Sequence, residues 1–348
     1  MSPTDQFRAE AAQRILVKDG PYGTQIQAAG LSADDYGAGT DLKRDQKGNN
    51  DLVNLTQPQV IRAICDAYIE AGAVLLATNT FNANRISQAD YAAERLVREV
   101  NVAAARIIRE AVDAATAKDS LPRFVAGAMG PTNKTLSLSP NVEDPGFREV
   151  TFDEVKDVYR EQAAALIEGG SDFILIETVF DTLNCKAAIM AVKDLERELG
   201  REVPVMISLT LTDLSGRNLS GHTVEAFWHA VRHAKPLAIS LNCSFGADQL
   251  RPHVQVLSQI ANTLLMAYPN AGLPNDLGEY DEEPETTAAL VRLWAQNAQV
   301  NVLGGCCGST PEHIAAMARA VEGLTPRPVP QLNPATRLAG LEPFVLAA

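Results

Sequence analysis

The sequence predicts an α/β protein built as a (β/α)8 TIM barrel, with elaborated βα loops and a Pro-rich C-terminal tail. Three observations predict it. Eight short apolar runs rich in β-branched residues punctuate the chain, stretches of helix length separate them, and polar and thiol-bearing residues collect just after the runs. Strands that are apolar throughout, rather than alternating, imply a parallel sheet covered by helices, and eight of them close a barrel. An open doubly wound sheet is the alternative. Its dinucleotide-binding version has no support, because no G-x-G-x-x-G follows the first run.

In chain order the candidate strands are 15–17, 73–77, 124–128, 173–176, 205–209, 237–241, 263–267 and 300–303. Thr151 with Glu154 has the spacing of a capping box and predicts a helix start. Ser309-Thr310-Pro311-Glu312 predicts another before Ile314, while Gly72 and Gly169 are placed as helix stops. Residues 34–54 and 136–150 are polar and rich in glycine or proline, and read as long βα loops. From Thr325 onward the prolines 326, 328, 330, 334 and 343 predict a tail on the surface. The expected division is therefore a barrel over 1–325 and a tail or linker over 326–348.

Composition narrows the function classes. With 46% hydrophobic and 21% charged residues the 348-residue chain has the balance of an ordinary globular protein. A formal charge of −13 argues against nucleic acid or an anionic membrane as a partner. No apolar run approaches the roughly 18 residues of a membrane span, and the first residues lack the apolar segment of a secretory signal. Five cysteines, an odd number spread along the chain, suit a reducing cytoplasm and metal or catalytic use. The expected location is cytoplasmic.

In a barrel the chemistry collects at the C-terminal strand ends. Cys243 follows the sixth run, and Cys306 and Cys307 follow the eighth, so closure leaves a single strand between them. Adjacent cysteines would point to opposite faces of a regular strand. Using both on one metal requires irregular backbone, which Gly304, Gly305 and Gly308 allow. Three thiolates select zinc and leave its fourth tetrahedral position open, the mark of a catalytic site. A substrate thiol, with a free pKa of about 8.5, would lose its proton on taking that position. The helix starting near Ser309 adds a positive N-terminal end beside the pair.

Plainer readings stand beside these. A vicinal cysteine pair is more often two small buried hydrophobes, and the flanking glycines and third cysteine reverse that preference. Cys65 and Cys185 fall in helices and read as packing residues. His222, His229, His233, His253 and His313 lack metal-ligand placement. Asp19 and Glu177, at the ends of the first and fourth runs, could simply cap backbone N–H groups. Alternatively they pair with a substrate ammonium, while Gly23 and Thr24 offer backbone N–H and hydroxyl donors to its carboxylate. Such a pocket suits an amino acid carrying a thiol.

The segments DGPYGTQIQ, TNTFNANR, MGPTNKTLSLSPNVEDPGFREVTFDEV, ETVFDTLNCKAA, SLNCSFGADQLRPHV, PNAGLP and VNVLGGCCGSTPEHI together resemble the homocysteine-binding zinc domain of cobalamin-dependent methionine synthase. The resemblance spans nearly the whole chain. It implies zinc on Cys243, Cys306 and Cys307, and homocysteine held by Asp19, Gly23, Thr24 and Glu177, with Asn242 counted in the same pocket. In that family folate, cobalamin and reactivation domains follow on one polypeptide, whereas here the chain ends after a segment, 337–343, similar to the linker. The chain is then either a piece cut from such a polypeptide or one half of a naturally split enzyme, and the split enzyme is the expectation. Its zinc-bound homocysteine thiolate would attack methylcobalamin carried by a partner chain that binds cobalamin and folate, methyltetrahydrofolate being the ultimate donor. A self-sufficient homocysteine methyltransferase using betaine or S-methylmethionine is the alternative enzyme, and a non-catalytic zinc-binding scaffold the alternative of another class.

Overall fold

Eight parallel strands form the centre of the computed structural model, which describes residues 1–347. They are β1 (Leu16–Val17), β2 (Leu75–Ala77), β3 (Phe124–Met129), β4 (Phe173–Val179), β5 (Val205–Leu209), β6 (Ala238–Gly246), β7 (Leu264–Asn270) and β8 (Val302–Leu303). Neighbours pair in the order β1-β8-β7-β6-β5-β4-β3-β2. The remaining seam closes where Lys18 bridges Leu75, with Val74 N–H donating to Val17 (2.8 Å) and Asp19 N–H to Leu75 (3.0 Å). The barrel expected from the sequence is what forms, each of the eight apolar runs supplying one strand.

Uniformly apolar strands follow from burial on both faces. Leu75, Phe124, Phe173, Leu175 and Met206 fill the barrel interior, whereas Leu76, Val125, Ile174, Ile207 and Leu265 pack outward against the helices. The bottom of the barrel is plugged by an element the sequence did not announce. Ser2 caps the helix Pro3–Gln13, and its Phe7 is fully buried, edge-on to Phe124 and Phe173 at ring-centre distances of 5.1 and 5.3 Å.

The punctuation holds with small shifts. Thr151 and Glu154 form the capping box of the helix Phe152–Glu168, and Gly169 ends it, with Gly170 taking the left-handed turn at φ +106°. Thr310, not Ser309, caps Pro311–Val321, and its partner at the third position is His313. Gly72, at φ +102°, follows the helix Pro58–Glu70. The 34–54 stretch overlaps three short helices, Ala33–Gly37, Asn50–Leu52 and Val53–Thr56. The 136–150 loop has no regular structure and is stapled by Arg148, which donates to the Leu136 and Ser137 carbonyls at 2.7 and 3.0 Å.

The C-terminal segment differs from a simple surface tail. Arg327 is 3% exposed and donates to the carbonyls of Ser258, Ala261 and Thr263 beneath the barrel. Beyond it β9 (Ala335–Ala339) and β10 (Pro343–Ala347) form an antiparallel hairpin. The hairpin lies on the helix Val224–Val231, fixed by Thr223 N–H to Leu341 O (3.1 Å) and an Arg217–Glu342 ion pair. The prolines at 326–334 do keep the chain extended, but they end where the strand-forming residues begin, and the turn at Gly340 then pairs them. Among the described residues no helix is long and apolar enough to cross a membrane.

Candidate active site and metal centre

The ends of β6 and β8 bring three sulfurs together. The Sγ atoms of Cys243, Cys306 and Cys307 all lie within 4.8 Å of one another, those of Cys243 and Cys307 being 3.8 Å apart. Among the described residues this is the one cluster with metal-ligand spacing, and no histidine belongs to it. The bending that makes it possible is shared between the strands. β6 breaks register after Asn242, and Cys243 and Ser244 adopt φ of +62° and +63°. That conformation costs an L-residue about 1–2 kcal/mol. It is held by Ser244 Oγ, which donates to the Leu211 carbonyl and hydrogen-bonds Thr210 Oγ1 at 2.8 Å.

On the β8 side Cys306 N–H donates to Pro269 O (2.7 Å) and Cys307 O accepts from Ala271 N–H (2.9 Å), so β7 fixes the turn. Gly308 is left-handed at φ +79°, and a Cβ there would collide with the Tyr280 ring. Gly304 has a different reason: a Cβ would stand 2.8 Å from that of Lys18. The irregular backbone expected from the glycines is therefore only half the device, because no glycine marks the strained Cys243-Ser244 step.

The three thiols behave as one unit. Hydrogen bonds from Cys243 and Cys306, with help from Tyr280, pull the Cys307 thiol down to about 3. Its partners are correspondingly pushed up, Cys243 to about 11 and Cys306 far above the usual thiol. Three soft donors that share hydrogen bonds in this way are a set whose protons a divalent cation can displace. Cys65 and Cys185 are buried elsewhere, and burial pushes the Cys65 thiol up to about 12.

Beside the sulfurs opens a cavity of about 260 Å³ whose walls include Gly23, Thr24, Glu177 and Asn242 together with the three cysteines. Gly23 and Thr24 lie in the first turn of the helix Tyr22–Ala28, where backbone N–H groups have no intrahelical acceptor. The Thr24 hydroxyl accepts from Gly308 N–H at 3.3 Å, tying that helix to the cysteine turn. Glu177 is half-buried and accepts from Tyr268 Oη at 3.2 Å; burial pushes its carboxyl up, and Lys18 and Tyr268 pull it back. Asn242 bridges the site rather than facing it freely. It accepts from Ser208 Oγ (2.6 Å), donates to Thr178 Oγ1 (2.9 Å), and its Nδ2 stands 3.8 Å from Cys306 Sγ.

Asp19 is placed differently from the other expected pocket residues. It is fully buried beneath the cavity, one oxygen accepting from Lys18 Nζ (2.7 Å) and the other from Ala77 N–H (2.8 Å). Lys18 itself lines the cavity, 4.7 Å from the Tyr268 ring centre. Burial opposes its charge, but Asp19 and Glu177 outweigh that and hold its pKa above the ordinary lysine value. Lys18 is not among the residues expected at the site, although a lysine ending the apolar run Ile15-Leu16-Val17 is a visible signal in the sequence. Asp51 is a second addition, a cavity-wall carboxyl 4% exposed that accepts from Asn82 N–H (2.9 Å) and is pushed up to about 7 by burial. In its polar loop nothing distinguished Asp51 from its neighbours.

A barrel whose mouth gathers three thiols beside an amino-acid-sized cavity has counterparts. Residues 16–321 match the model of the homocysteine S-methyltransferase family, and the chain belongs to that family, as a methyltransferase whose family substrate is homocysteine. Among solved structures it is similar to the homocysteine methyltransferase MmuM from Escherichia coli. The oxidised form has 22% identity and a TM-score of 0.70 over 92% of this chain and 99% of that one. The metallated form gives 22% and 0.70 over 91% and 99%, and the apo form 21% and 0.64 over 88% and 96%.

Proposed function

We propose that this chain makes methionine by transferring a methyl group to the sulfur of homocysteine, with a zinc ion held by Cys243, Cys306 and Cys307. The observation that carries the reading is the convergence of three cysteine sulfurs within 4.8 Å at the mouth of a barrel. Zinc, when bound, supplies a Lewis acid that acidifies a coordinated thiol. The remaining work falls to the chain. Glu177 faces the cavity as the acceptor for the substrate ammonium, and Lys18 opposes the upward push of burial on its carboxyl. The N–H groups of Gly23 and Thr24 suit the substrate carboxylate. Asp19 acts from below by holding Lys18, and Asn242 orients Cys306 and Thr178.

For the methyl donor we favour methylcobalamin on a partner chain that binds cobalamin and folate, supplied in turn by methyltetrahydrofolate. Supporting it, the 136–150 loop, which follows β3 on the mouth side, exposes Leu138, Val142 and Phe147, an apolar rim suited to a docking domain. A self-sufficient enzyme using betaine or S-methylmethionine is the second reading, and the likeness along 99% of a homocysteine methyltransferase chain favours it.

Metal analysis with zinc-edge X-ray absorption tests the site. One zinc per chain is expected, gaining a sulfur neighbour when homocysteine is added; an unchanged sulfur count would overturn thiol activation. Cys243→Ser, Cys306→Ser and Cys307→Ser should each lose zinc and activity while the barrel stays folded. Glu177→Gln should keep zinc and weaken homocysteine binding roughly tenfold or more. Assays with methylcobalamin, betaine and S-methylmethionine then separate the donors. Turnover with either of the last two and no partner would reject the split-enzyme reading.

A further inference from the structure

The chain carries 43 acidic against 30 basic residues, yet the ionisable side chains lining one cavity are all bases. It lies at the N-terminal ends of β6 and β7, beside Pro236 and Thr263, on the opposite barrel face from the cysteines. Arg8, His229, Arg232, His233, Lys235 and Arg337 surround about 520 Å³, and no aspartate or glutamate lines it. Three separate parts of the chain supply them: the helix Pro3–Gln13, the end of the helix Val224–Val231 with the turn after it, and β9. Among the described residues no carboxylate lies within 4.0 Å of Arg8, Arg232, Lys235 or Arg337.

His229 gives the independent observation. It is 7% exposed, and neither ring nitrogen has a hydrogen-bond partner, the Glu225 carboxylate standing 3.6 Å away. Burial and the charges of Arg232 and Arg337 push its pKa down, and burial with the charge of Arg337 lowers that of Arg232, so these bases repel one another across the cavity. Cations at a helix C-terminus do offset the helix dipole. That explains Arg232, His233 and Lys235, but neither the arrival of Arg8 and Arg337 from other elements nor an unpartnered buried imidazole.

We propose that this cavity binds a small metabolite through a phosphoryl dianion. Two guanidinium forks match phosphate oxygens in bidentate fashion, and an acceptor-only ligand suits a wall of donors. A single carboxylate would leave most of the charge unbalanced. The volume exceeds that of phosphate alone and falls in the range of small-molecule pockets. Occupancy would tie the N-terminal helix, the barrel and the C-terminal hairpin together.

Calorimetric titration of the intact protein tests the site, using glycerol 2-phosphate, inorganic phosphate and glutarate at pH values above the second phosphate pKa, with chloride matching ionic strength. Both phosphates should bind saturably at one site per chain, raise the melting temperature and shift the His229 proton resonances. The double variant Arg232→Gln/Arg337→Gln should lose about tenfold or more in affinity. The exposed Lys235→Gln should lose a smaller factor, and it decides the matter if the double variant does not fold. Phosphate no better than chloride, affinity unchanged in the variants, or glutarate binding equally well would each overturn the proposal.

Discussion

At the scale of single residues, the site depends on charges buried in pairs. Lys18 and Asp19 have side chains 4% and 0% exposed and sit 2.7 Å apart. Breaking such a pair leaves an unmatched buried charge, at a cost of about 3–5 kcal/mol. Lys18→Met should therefore lower stability by that order in chemical denaturation, and adding Asp19→Asn should recover much of it, since the amide still accepts from Ala77 N–H. A single variant as stable as the parent would show the pair to be dispensable. Asp51 makes the opposite kind of demand. Its carboxyl titrates near 3.9 in the unfolded chain and about 7 in the fold, because burial penalises the ionised form. Between those values the folded state holds the extra proton, so stability falls as pH rises through the window and levels off above about 7. Asp51→Asn removes the ionisation, and it should gain up to about 4 kcal/mol over the parent at pH 8 and nothing at pH 3.5, read from paired denaturation curves.

At the scale of elements, two strand ends decide whether three sulfurs can meet. The β8 turn needs Gly308, whose φ is +79° and whose missing Cβ makes room for Tyr280. Gly308→Ala should cost at least about 1 kcal/mol from the left-handed backbone alone. The steric clash must also displace Tyr280 or Cys307, so metal affinity should fall by more than stability does. Zinc competition against a chelator measures it, and an unchanged affinity would mean the turn is more pliable than its packing implies. On β6 the equivalent distortion at Cys243 and Ser244 is supported by side-chain hydrogen bonds instead of by glycine. A sequence reader looks for glycine at such turns and finds none there.

At the scale of the whole molecule, the barrel is sealed at the bottom by Phe7 and Arg327 and flanked by the C-terminal hairpin. Removal of residues 331–348 uncovers the helix Val224–Val231 and deletes Arg337, but leaves Arg327 and the mouth in place. Such a truncation should melt several degrees lower while keeping zinc and homocysteine binding. Loss of zinc would show that the hairpin supports the site from the far side of the barrel.

The sequence by itself determined the strand count, the parallel arrangement and the positions of the three cysteines, because apolar periodicity and strand-end chemistry are local patterns. Glu177, Gly23, Thr24 and Asn242 were legible at the mouth for the same reason. Only the tertiary structure decided that Asp19 turns under the pocket toward Lys18, that Asp51 joins the wall, and that bases from both ends of the chain meet at the bottom. Those outcomes depend on which groups burial brings face to face across distant segments, and no local pattern records that.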